Sequence, residues 1–478
     1  WLKFSRLFRV ISTMQMQRKL IILGRRFLQQ TRLRLGFVSI CALVLAVLLV
    51  MAYVFNTSCA AGGRLEQAKY GSRSADGERP EQAMYGTRGA EGSTSRAWQR
   101  GFYCRSAADC TYGGTCNTTT GVCKCDPMWM GLRCGTLALL PMPRLSGLRI
   151  NGTSTWCGPT VQGADARFHM AVSIFANQCG LDFWIPNSEI HHAVADSALG
   201  PFRVTHRLLP AFAHNPALAK LPDGRFLLFY IGEALEPSSL KDCRTYGGAK
   251  DQFTKPIGGA NRMDGLISVA LLGPDWNILE THRAVLKPRE GMWDSIVTNP
   301  APVVLPNGSV LLYYRGDDRH SHDGNLDKGR HRYIGVAYAD TWQGPYTRLR
   351  DDPVLPLHLE DPFVWRNRDG SGFHMIMGAK FEMPVGVTSA HAVSDDGISW
   401  NLAHAPPYGT YLSFDDGGQQ VVLRRERPAL IFAERGFGVA LSTSIRSGSG
   451  KETFTLTQPL QTQCTGLPAM CTPPIMQT

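Results

Sequence analysis

Two short acidic motifs mark places where this chain could carry out chemistry. The segment LEDPF puts Glu360 and Asp361 before a proline, and the segment RERP puts Glu426 two residues before another. Carboxyl groups that meet in one site can do acid–base work, because one holds a proton while another stays ionised. Alternatively, Asp361 and Glu426 only cap strands and pair with neighbouring arginines, as surface charges usually do. The arginines in question are Arg424, Arg425 and Arg427.

The elements that would position these residues form an internal repeat. Segments 214–232 and 298–316 both consist of Asn-Pro, an apolar run, a polar turn and a second apolar run, segment 361–378 has the same length and pattern, and a fourth copy begins at Arg425. Such short runs, rich in Val, Ile, Leu, Phe and Tyr between Gly, Pro, Asp and Asn turns, predict an all-β region, with a turn or two of helix around 187–198 as the exception. Starts spaced 84, 62 and 66 residues apart suit the four-stranded blades of a β-propeller.

With these motifs in this order, residues 165–460 resemble the five-bladed propellers of the arabinanase, invertase and levansucrase superfamily, glycoside hydrolase families 43, 32 and 68, and distantly the mannoside phosphorylases of family 130. The resemblance implies that Asp361 stabilises an oxocarbenium-like centre and that Glu426 is the general acid. In glycoside cleavage one carboxyl must stay protonated to donate to the leaving oxygen, which neighbouring carboxylates favour. We therefore expect Asp361 and Glu426 to lie within about 10 Å of each other in one funnel.

The chain departs from that superfamily where the first aspartate would stand. Asn215 and Asn299 occupy the positions before the first two prolines, and a carboxamide can bind a sugar hydroxyl but cannot act as general base or nucleophile at neutral pH. We expect any hydrolysis to be slow for this reason. Asp294 or Glu360 could supply the base instead. Phosphate could be the nucleophile, seated on the substrate-binding candidates Arg315, Arg424 and Arg427, or the propeller could bind glycans without cleaving them.

A cysteine-rich segment precedes the propeller. Six cysteines fall within about thirty residues, a segment too small to fold on apolar burial alone, and cysteine counting leaves 15 possible connectivities. The ending CKCDPMWMGLRC resembles an EGF-like domain over residues 103–135, and zinc binding is disfavoured because no histidine is interleaved. That resemblance implies the pairs Cys104–Cys116, Cys110–Cys123 and Cys125–Cys134. Such modules are spacers or contact modules, so a protein partner here is an open alternative.

The N-terminal region predicts a membrane anchor. Residues 1–34 contain nine basic and no acidic residues, residues 35–55 contain no charge, and residues 56–100 read as a flexible stem. Positive charge before the span predicts type II topology, with residues 1–34 cytosolic and the rest lumenal or extracellular; a cleaved signal peptide is the alternative. Since the tail carries nine of the net eleven positive charges, the remainder is nearly neutral and we predict no nucleic-acid partner.

Two further features agree with a lumenal or extracellular location. The remaining cysteines after the span should be oxidised in that compartment, and four N-x-[ST] sequons are candidate glycosylation sites. These cysteines are Cys59, Cys157, Cys179, Cys243, Cys464 and Cys471, and the sequons begin at Asn56, Asn117, Asn151 and Asn307. Segment 316–324 collects aspartates and histidines, which we interpret as a solvated loop, and we predict no metal and no other cofactor.

These observations predict a type II membrane protein of the Golgi or the cell surface, in which an EGF-like module and a propeller precede a C-terminal tail, 461–478. The expected function is hydrolysis of glycosidic bonds in a glycan by a carboxyl pair. A catalytically impaired glycan-binding or adhesion protein and a glycoside phosphorylase are the alternatives. A nucleotide-sugar glycosyltransferase shares the topology, but the strand–helix alternation of a nucleotide-binding fold is missing.

The topology can be tested with sealed microsomes from cells that express the full chain. Protease added outside should remove a tag at the cytosolic N-terminus, while the ectodomain should be digested only after detergent opens the vesicles. Immunoblots against both ends give the measurement. Digestion of the C-terminal end in sealed vesicles would contradict type II topology.

Overall fold

A computed structural model describes residues 102–236, 240, 242–243, 265–317, 332–367, 369–379, 387–433, 438–448 and 453–462. These residues belong to one compact unit, 93–478. The predicted tail, membrane span, stem and most of the C-terminal tail lie outside them, as do Asn56, Cys59, Cys464 and Cys471. None of the helices in the described ranges is long and apolar enough to cross a bilayer.

Five antiparallel sheets form the propeller, one for each blade. Blade 1 contains β5 (Thr155–Trp156), β6 (Thr160–Gln162), β7 (Phe168–Phe175), β8 (Ser188–Ala195) and β9 (Arg203–Leu209). Blade 2 contains β10 (His214–Lys220), β11 (Phe226–Ile231), β12 (Ile267–Leu272) and β13 (Ile278–Leu286). Blade 3 contains β14 (Ile296–Val304), β15 (Val310–Asp317), β16 (Arg332–Ala339) and β17 (Thr347–Arg348). Each blade follows the chain order from the axis outwards, as the repeat predicts.

The last two sheets complete the ring. Blade 4 contains β18 (Leu359–Arg366), β19 (Phe373–Ala379), β20 (Ser389–Ser394) and β21 (Asn401–Leu402), and blade 5 contains β24 (Arg424–Phe432), β25 (Gly438–Arg446) and β26 (Thr453–Pro459). A hairpin of β22 (Tyr411–Ser413) and β23 (Gln419–Val421) lies between them in sequence. The inner strands β6, β10, β14, β18 and β24 surround the axis, where β24 contacts β6 and closes the circle.

Apolar side chains pack between neighbouring blades and form the core. Leu227 and Phe229 of blade 2 meet Leu312 and Tyr314 of blade 3 in one buried cluster, and Tyr313 belongs to the next cluster, between blades 3 and 4. Successive residues of one strand thus face opposite neighbours, because side chains alternate across a sheet. These strands are buried on both faces and therefore read as continuous apolar runs.

Two sequence predictions about blade 1 are wrong. The propeller begins at Thr155, not at 165, because β5 and β6 pair with β7. The helix expected around 187–198 is confined to one turn, α1 (Trp184–Asn187), and Ser188–Ala195 forms β8. The stretch SEIHHAVA is a strand because its backbone pairs with both β7 and β9, and this tertiary pairing overrides a weak local preference.

Residues 104–134 form the EGF-like module. It contains β1 (Gly114–Asn117) paired with β2 (Val122–Cys125), and its β3 (Trp129–Met130) pairs with β4 (Thr136–Leu137), which follows directly after the module. The predicted disulfides Cys104–Cys116, Cys110–Cys123 and Cys125–Cys134 are all present. These disulfides stabilise a module whose core is too small to be stable by apolar burial alone.

The other predictions on covalent chemistry have mixed outcomes. Cys179 and Cys243 form a disulfide, but Cys157 is a buried free thiol, so the prediction that it would be oxidised is wrong. The reason is its position in the inner wall of blade 1, where its thiol donates to the carbonyl of Pro216 at 3.2 Å. Asn117, Asn151 and Asn307 are exposed, as glycan acceptors must be, and their glycosylation stays a prediction.

The EGF-like module packs directly against blade 4. Trp129 stacks on His391 at 4.7 Å and on His374 at 5.3 Å between ring centroids. His391 donates from Nδ1 to the carbonyl of Gly135 at 3.2 Å, and its Nε2 accepts from His374 at 2.9 Å. Both imidazoles are neutral in this arrangement, so the contact between module and propeller is an uncharged aromatic stack.

The chain after the module then runs along blade 5. Leu140 donates its backbone N–H to Pro459, and Leu148 donates to Thr455, both at 2.9 Å. This segment occupies the outer edge of a sheet that has three strands of its own, β24, β25 and β26. Residues from before blade 1 thereby finish blade 5, which ties the two ends of the propeller together.

The buried histidines His374 and His391 predict that the protein loses stability in acid. Burial lowers the pKa of His391 to about 4 and that of His374 well below its usual value. The unfolding free energy should be highest above the unfolded-state pKa of about 6.5. It should fall as the pH drops from there toward 4, because unfolding then takes up protons. Over this pH range, His391 alone should lower the unfolding free energy by about 3 kcal/mol.

Urea unfolding at pH 7, 6 and 5 measures this loss. His391→Gln, which cannot titrate, should show a shallower dependence on pH than the parent, whatever its stability at pH 7. Equal slopes for parent and variant would show that His391 does not cause the acid lability.

Candidate functional site

Five backbone positions around the propeller axis form the floor of the site. Each blade has one residue with positive φ there, between 50 and 59 degrees. These residues are Asn215, Asn299, Asp361 and Arg427 in the inner strands of blades 2 to 5, and Cys157 between β5 and β6 in blade 1. In blades 2 to 5 the next residue is a proline, and the ladder to the second strand shifts register at that point. Such bulges re-aim side chains. Asn and Asp tolerate this left-handed conformation best, which explains the repeated Asn-Pro and Asp-Pro.

These five residues, which we call the axial ring, are joined in order by hydrogen bonds from Asn215 to Cys157. Asn215 donates from Nδ2 to Oδ1 of Asn299 at 2.9 Å, and Asn299 donates to Asp361 Oδ1 at 2.6 Å. Arg427 donates its backbone N–H to Asp361 at 3.2 Å and its Nη2 to the Cys157 sulfur at 3.6 Å. Because a carboxylate only accepts, Asp361 determines the direction of the amides.

Arginines pair with a cluster of carboxylates on the side of blades 4 and 5. Oxygens of Glu360, Asp361 and Glu426 lie within 4.8 Å of one another. Glu426 accepts two bonds from Arg424, at 2.6 and 2.8 Å, in a fork geometry. Glu360 accepts from two further arginines. These are Arg315 at 3.1 Å and Arg332 at 2.7 Å.

These ion pairs give each buried carboxylate of the cluster a partner of opposite charge. Burial works to lower the pKa of Arg424 and of Arg427, but their carboxylate partners, together with Cys157 for Arg427, outweigh burial and raise both values. The arginines supply the positive charge that a metal ion would otherwise bring to such a cluster. The alternative that Asp361 and Glu426 carry surface ion pairs is wrong in one respect, since both are buried.

Several buried polar atoms of the funnel have no hydrogen-bond partner. They are Asn215 Oδ1, Thr298 Oγ1 and Arg315 Nε in blades 2 and 3, and Arg427 Nε in blade 5. All four residues line the same cavity as the carboxylates. Buried polar groups in native proteins are normally satisfied, so several unpaired atoms in one cavity indicate a ligand or water that bonds to them.

Aromatic rings and a disulfide-held loop shape the cavity wall. Trp156 lines it beneath Arg424, whose guanidinium lies 5.6 Å from the ring. Leu181, Asp182 and Trp184 reach the cavity from the loop between β7 and β8, which the bond Cys179–Cys243 holds. Aromatic faces of this kind suit the apolar face of a sugar ring.

His214 stands beside the axial ring as a neutral group. Burial, followed by the charges of Arg427 and Arg315, lowers the pKa of His214 well below its usual value. Its Nδ1 lies 2.7 Å from the hydroxyl of Ser188. A neutral imidazole can hydrogen-bond to a ligand hydroxyl, but it adds no charge to the funnel.

The structure brings most of the predicted site residues together. Asp361, Glu426, Glu360 and the arginines Arg315, Arg424 and Arg427 line the cavity with Asn215 and Asn299, and the distance expected between Asp361 and Glu426 is met. Their catalytic or binding roles stay predictions. Asp294 does not line the cavity; its buried carboxylate accepts from Arg289, Arg348 and Tyr314 at 2.6 to 2.9 Å.

Sequence reasoning missed several residues of the site. Trp156 and Cys157 belong to a fifth copy of the motif, in which WCGPTV inserts a glycine before the proline; alignment on that proline would have found them. Thr298 precedes Asn299 within the repeat 298–316 and could have been predicted from it. Trp184 and Arg332 lie outside the repeated segments, and only the fold brings them to the axis.

Comparison with known proteins covers both parts of the molecule. Residues 104–134 match the EGF-like domain family. No curated protein sequence gives a significant match to the chain. A protein of unknown function from Dyadobacter fermentans is similar in structure at 13% identity, with 68% of this chain and 99% of that chain covered and a TM-score of 0.46.

Glycoside hydrolases are among the other similar structures. A family 117 enzyme from Zobellia galactanivorans has 14% identity, a TM-score of 0.44, and coverage of 70% of this chain and 90% of its own. An endo-1,5-α-L-arabinanase from Thermotoga petrophila has 12% identity, a TM-score of 0.34, and coverage of 63% and 76%. Likenesses this distant carry no argument about activity, and the propeller rests on the strand topology described above.

The axial ring predicts the effect of restoring an acid at position 215. In Asn215→Asp a carboxylate would face Asn299 Oδ1, and Asn299 cannot turn its amide without losing its bond to Asp361. We expect a loss of about 1–3 kcal/mol in unfolding free energy from the unsatisfied buried acceptors. Denaturant unfolding measures it, with Asn401→Asp at an exposed position as the matched control.

A stable Asn215→Asp variant that gains hydrolytic activity would contradict this expectation. It would mean that Asn299 can rotate and that position 215 is still aligned as a base.

Proposed function

We propose that this protein acts on glycans, with the end of a glycan bound in the axial funnel and its glycosidic bond cleaved next to Glu426. The observation that carries the proposal is one cavity that holds both unpaired polar atoms and a carboxyl pair. Asn215, Thr298 and Arg315 offer unpaired acceptor and donor atoms to a polyhydroxylated ligand. Glu426 and Asp361 line the same cavity as the paired carboxyls that glycoside cleavage requires.

Glu426 would protonate the leaving oxygen, and Asp361 would stabilise the positive charge that develops on the sugar ring. Both oxygens of Glu426 accept bonds from Arg424. Proton donation therefore requires Arg424 to release one of them when the substrate binds. Asp361 is already held by Asn299 and Arg427, which suits a group that stays ionised and does not move.

The attacking water lacks a well-placed base. Inverting glycosidases separate their carboxyls by roughly 6.5–9.5 Å to admit that water, and the three carboxylates here meet within 4.8 Å. Glu360 is also held by two arginines. Asn215 cannot take the proton. These features support slow hydrolysis.

Phosphorolysis receives less support from the site. Arg315, Arg424 and Arg427, the residues considered as seats for phosphate, are each paired with a carboxylate of the funnel. An incoming phosphate would have to displace those carboxylates and would meet their charge at short range. The pairing favours an uncharged sugar.

Glycan binding without cleavage is the second candidate. The specific observations that favour it are Asn215 in place of an acid and the fork between Arg424 and Glu426. A binding site needs only the unpaired polar atoms and the aromatic wall. Such a protein would retain its ligand unchanged.

We further propose that the funnel faces the Golgi lumen or the cell exterior on a type II membrane anchor. The disulfides of the EGF-like module and Cys179–Cys243 support an oxidising compartment.

A protein partner of the EGF-like module is also a proposal. Its Trp129 face is occupied by blade 4, so a partner would contact the surface that stays exposed, which includes Val122.

Glu426→Gln tests the reaction. With a panel of nitrophenyl glycosides and a glycan array, hydrolysis by the parent should fall by about two orders of magnitude or more, the usual effect of losing a general acid. Array affinity should stay within severalfold, because glutamine still hydrogen-bonds. Glu290→Gln, at an exposed position, is the control.

The outcomes separate the candidates. Binding by a parent that hydrolyses none of the glycosides would favour the second candidate. Full activity in Glu426→Gln would remove Glu426 from the mechanism, and a parent that neither binds nor cleaves would overturn the glycan proposal.

A further inference from the structure

We infer that the funnel accepts only the non-reducing terminal residue of a glycan and excludes internal residues. This inference rests on the proposed function and names its substrate class. It follows from a closed floor, a wall to which all five blades contribute, a small volume and an unpaired acceptor at the bottom of the cavity.

The floor is closed by the axial ring and by the prolines behind it. The residues before each ring position line the funnel, and the residues after it line a second void of about 30 Å³ on the same axis. Six prolines line that void, with at least one from each blade: Pro159, Pro216, Pro300, Pro302, Pro362 and Pro428. A sugar chain cannot pass through a space of this size, so a ligand must enter and leave by the same mouth.

Every blade contributes residues to the wall of the funnel. Trp156, His214, Thr298, Glu360 and Arg424 represent blades 1 to 5 in that order. A groove that binds the middle of a chain needs two openings on opposite sides, one for each neighbouring residue. Within the described part of the chain, the lining side chains instead surround the axis from all five blades, as in a pocket.

The volume matches one sugar ring. The funnel encloses about 180 Å³, less than the roughly 300–1,000 Å³ of sites that enclose drug-sized ligands. Only one residue of a chain can therefore reach the floor, and the rest of the chain must extend out of the mouth.

The unpaired acceptor at the floor selects an unsubstituted hydroxyl. Asp361 orients Asn299, and Asn299 orients Asn215, so that Asn215 Oδ1 is the atom left for the ligand. A hydroxyl can donate to it, but the linked oxygen of an internal residue has no hydrogen to give. An internal residue that placed its linked oxygen at this position would leave Asn215 Oδ1 buried and unsatisfied.

The position of the carboxylates determines which end of the glycan is bound. Cleavage next to Glu426 requires that the bound residue carry the scissile bond at its own anomeric carbon. A non-reducing terminal residue is joined to the chain in this way. A residue at the reducing end is joined through another oxygen, and its anomeric carbon holds no bond to the chain.

The test uses full-length protein in detergent and an array of oligosaccharides attached through their reducing ends. Each oligosaccharide is printed in two forms, with the non-reducing terminal residue native or fully O-methylated. We expect native forms that bind to lose at least tenfold in affinity on methylation, and longer chains with the same end to bind within about threefold of one another.

Equal binding of capped and native forms, or affinity that rises with the number of internal repeats, would overturn the inference and leave the glycan proposal standing. Absence of binding to every native glycan would overturn both. The two failures are therefore distinguishable in one experiment.

Variants of the floor extend the test to named atoms. Thr298→Val and Asn215→Ala each remove an unpaired polar atom, and both should reduce the ratio of native to capped affinity, with Asn215→Ala approaching a ratio of one. Asn401→Ala is the exposed control. Denaturant unfolding checks that each variant is folded, and a folded Asn215→Ala variant with an unchanged ratio would contradict the assignment.

Discussion

The buried carboxylate of Asp361 sets the constraint on which the rest of the axis depends. A charge removed from water must be paired and hydrogen-bonded, or the fold loses several kcal/mol. Here Asn299 and Arg427 satisfy it from the two neighbouring blades. Because Asp361 accepts only, it orients Asn299, which in turn orients Asn215. One ionised group thus aligns side chains from three blades and turns a ring of separate strands into a single site.

The same constraint accounts for the mixture of paired and unpaired groups in the funnel. Around blades 4 and 5, arginines pair with the buried carboxylates. In blades 2 and 3, the alignment leaves Asn215 Oδ1, Thr298 Oγ1 and Arg315 Nε unpaired. Preorganised charges beside unsatisfied polar atoms are what a site needs if it is to hold a hydroxylated ligand against acidic groups. Binding and chemistry can therefore be probed by substitutions on different blades.

The EGF-like module belongs to the architecture of the propeller. Its Trp129 stacks on the histidines of blade 4, and the chain that follows completes the edge of blade 5. An antiparallel sheet with an open edge invites unwanted pairing; here the segment beyond the module covers it. The module is thus fixed with respect to the funnel, on the outside of the blades and away from the axis. A spacer on a flexible joint would not make these contacts.

The sequence alone was sufficient for the local features. Repeats that begin with Asn-Pro or Asp-Pro predicted strands, blades and the positions that turn toward the axis, and cysteine spacing together with a family resemblance predicted the three disulfides, because each depends on residues close in the chain. Tertiary structure decided the rest. In the folded chain, β8 pairs as a strand and Cys157 stays a free thiol. Asp294 lies outside the funnel in an ion-pair network. Trp156, Trp184 and Arg332 line the funnel at the axis. Those outcomes depend on which blade faces which, and the hydrogen bond that joins Asn215 to Asn299 spans 84 residues. Contacts at that separation are selected by packing and charge satisfaction over the whole ring, and a local pattern does not encode them.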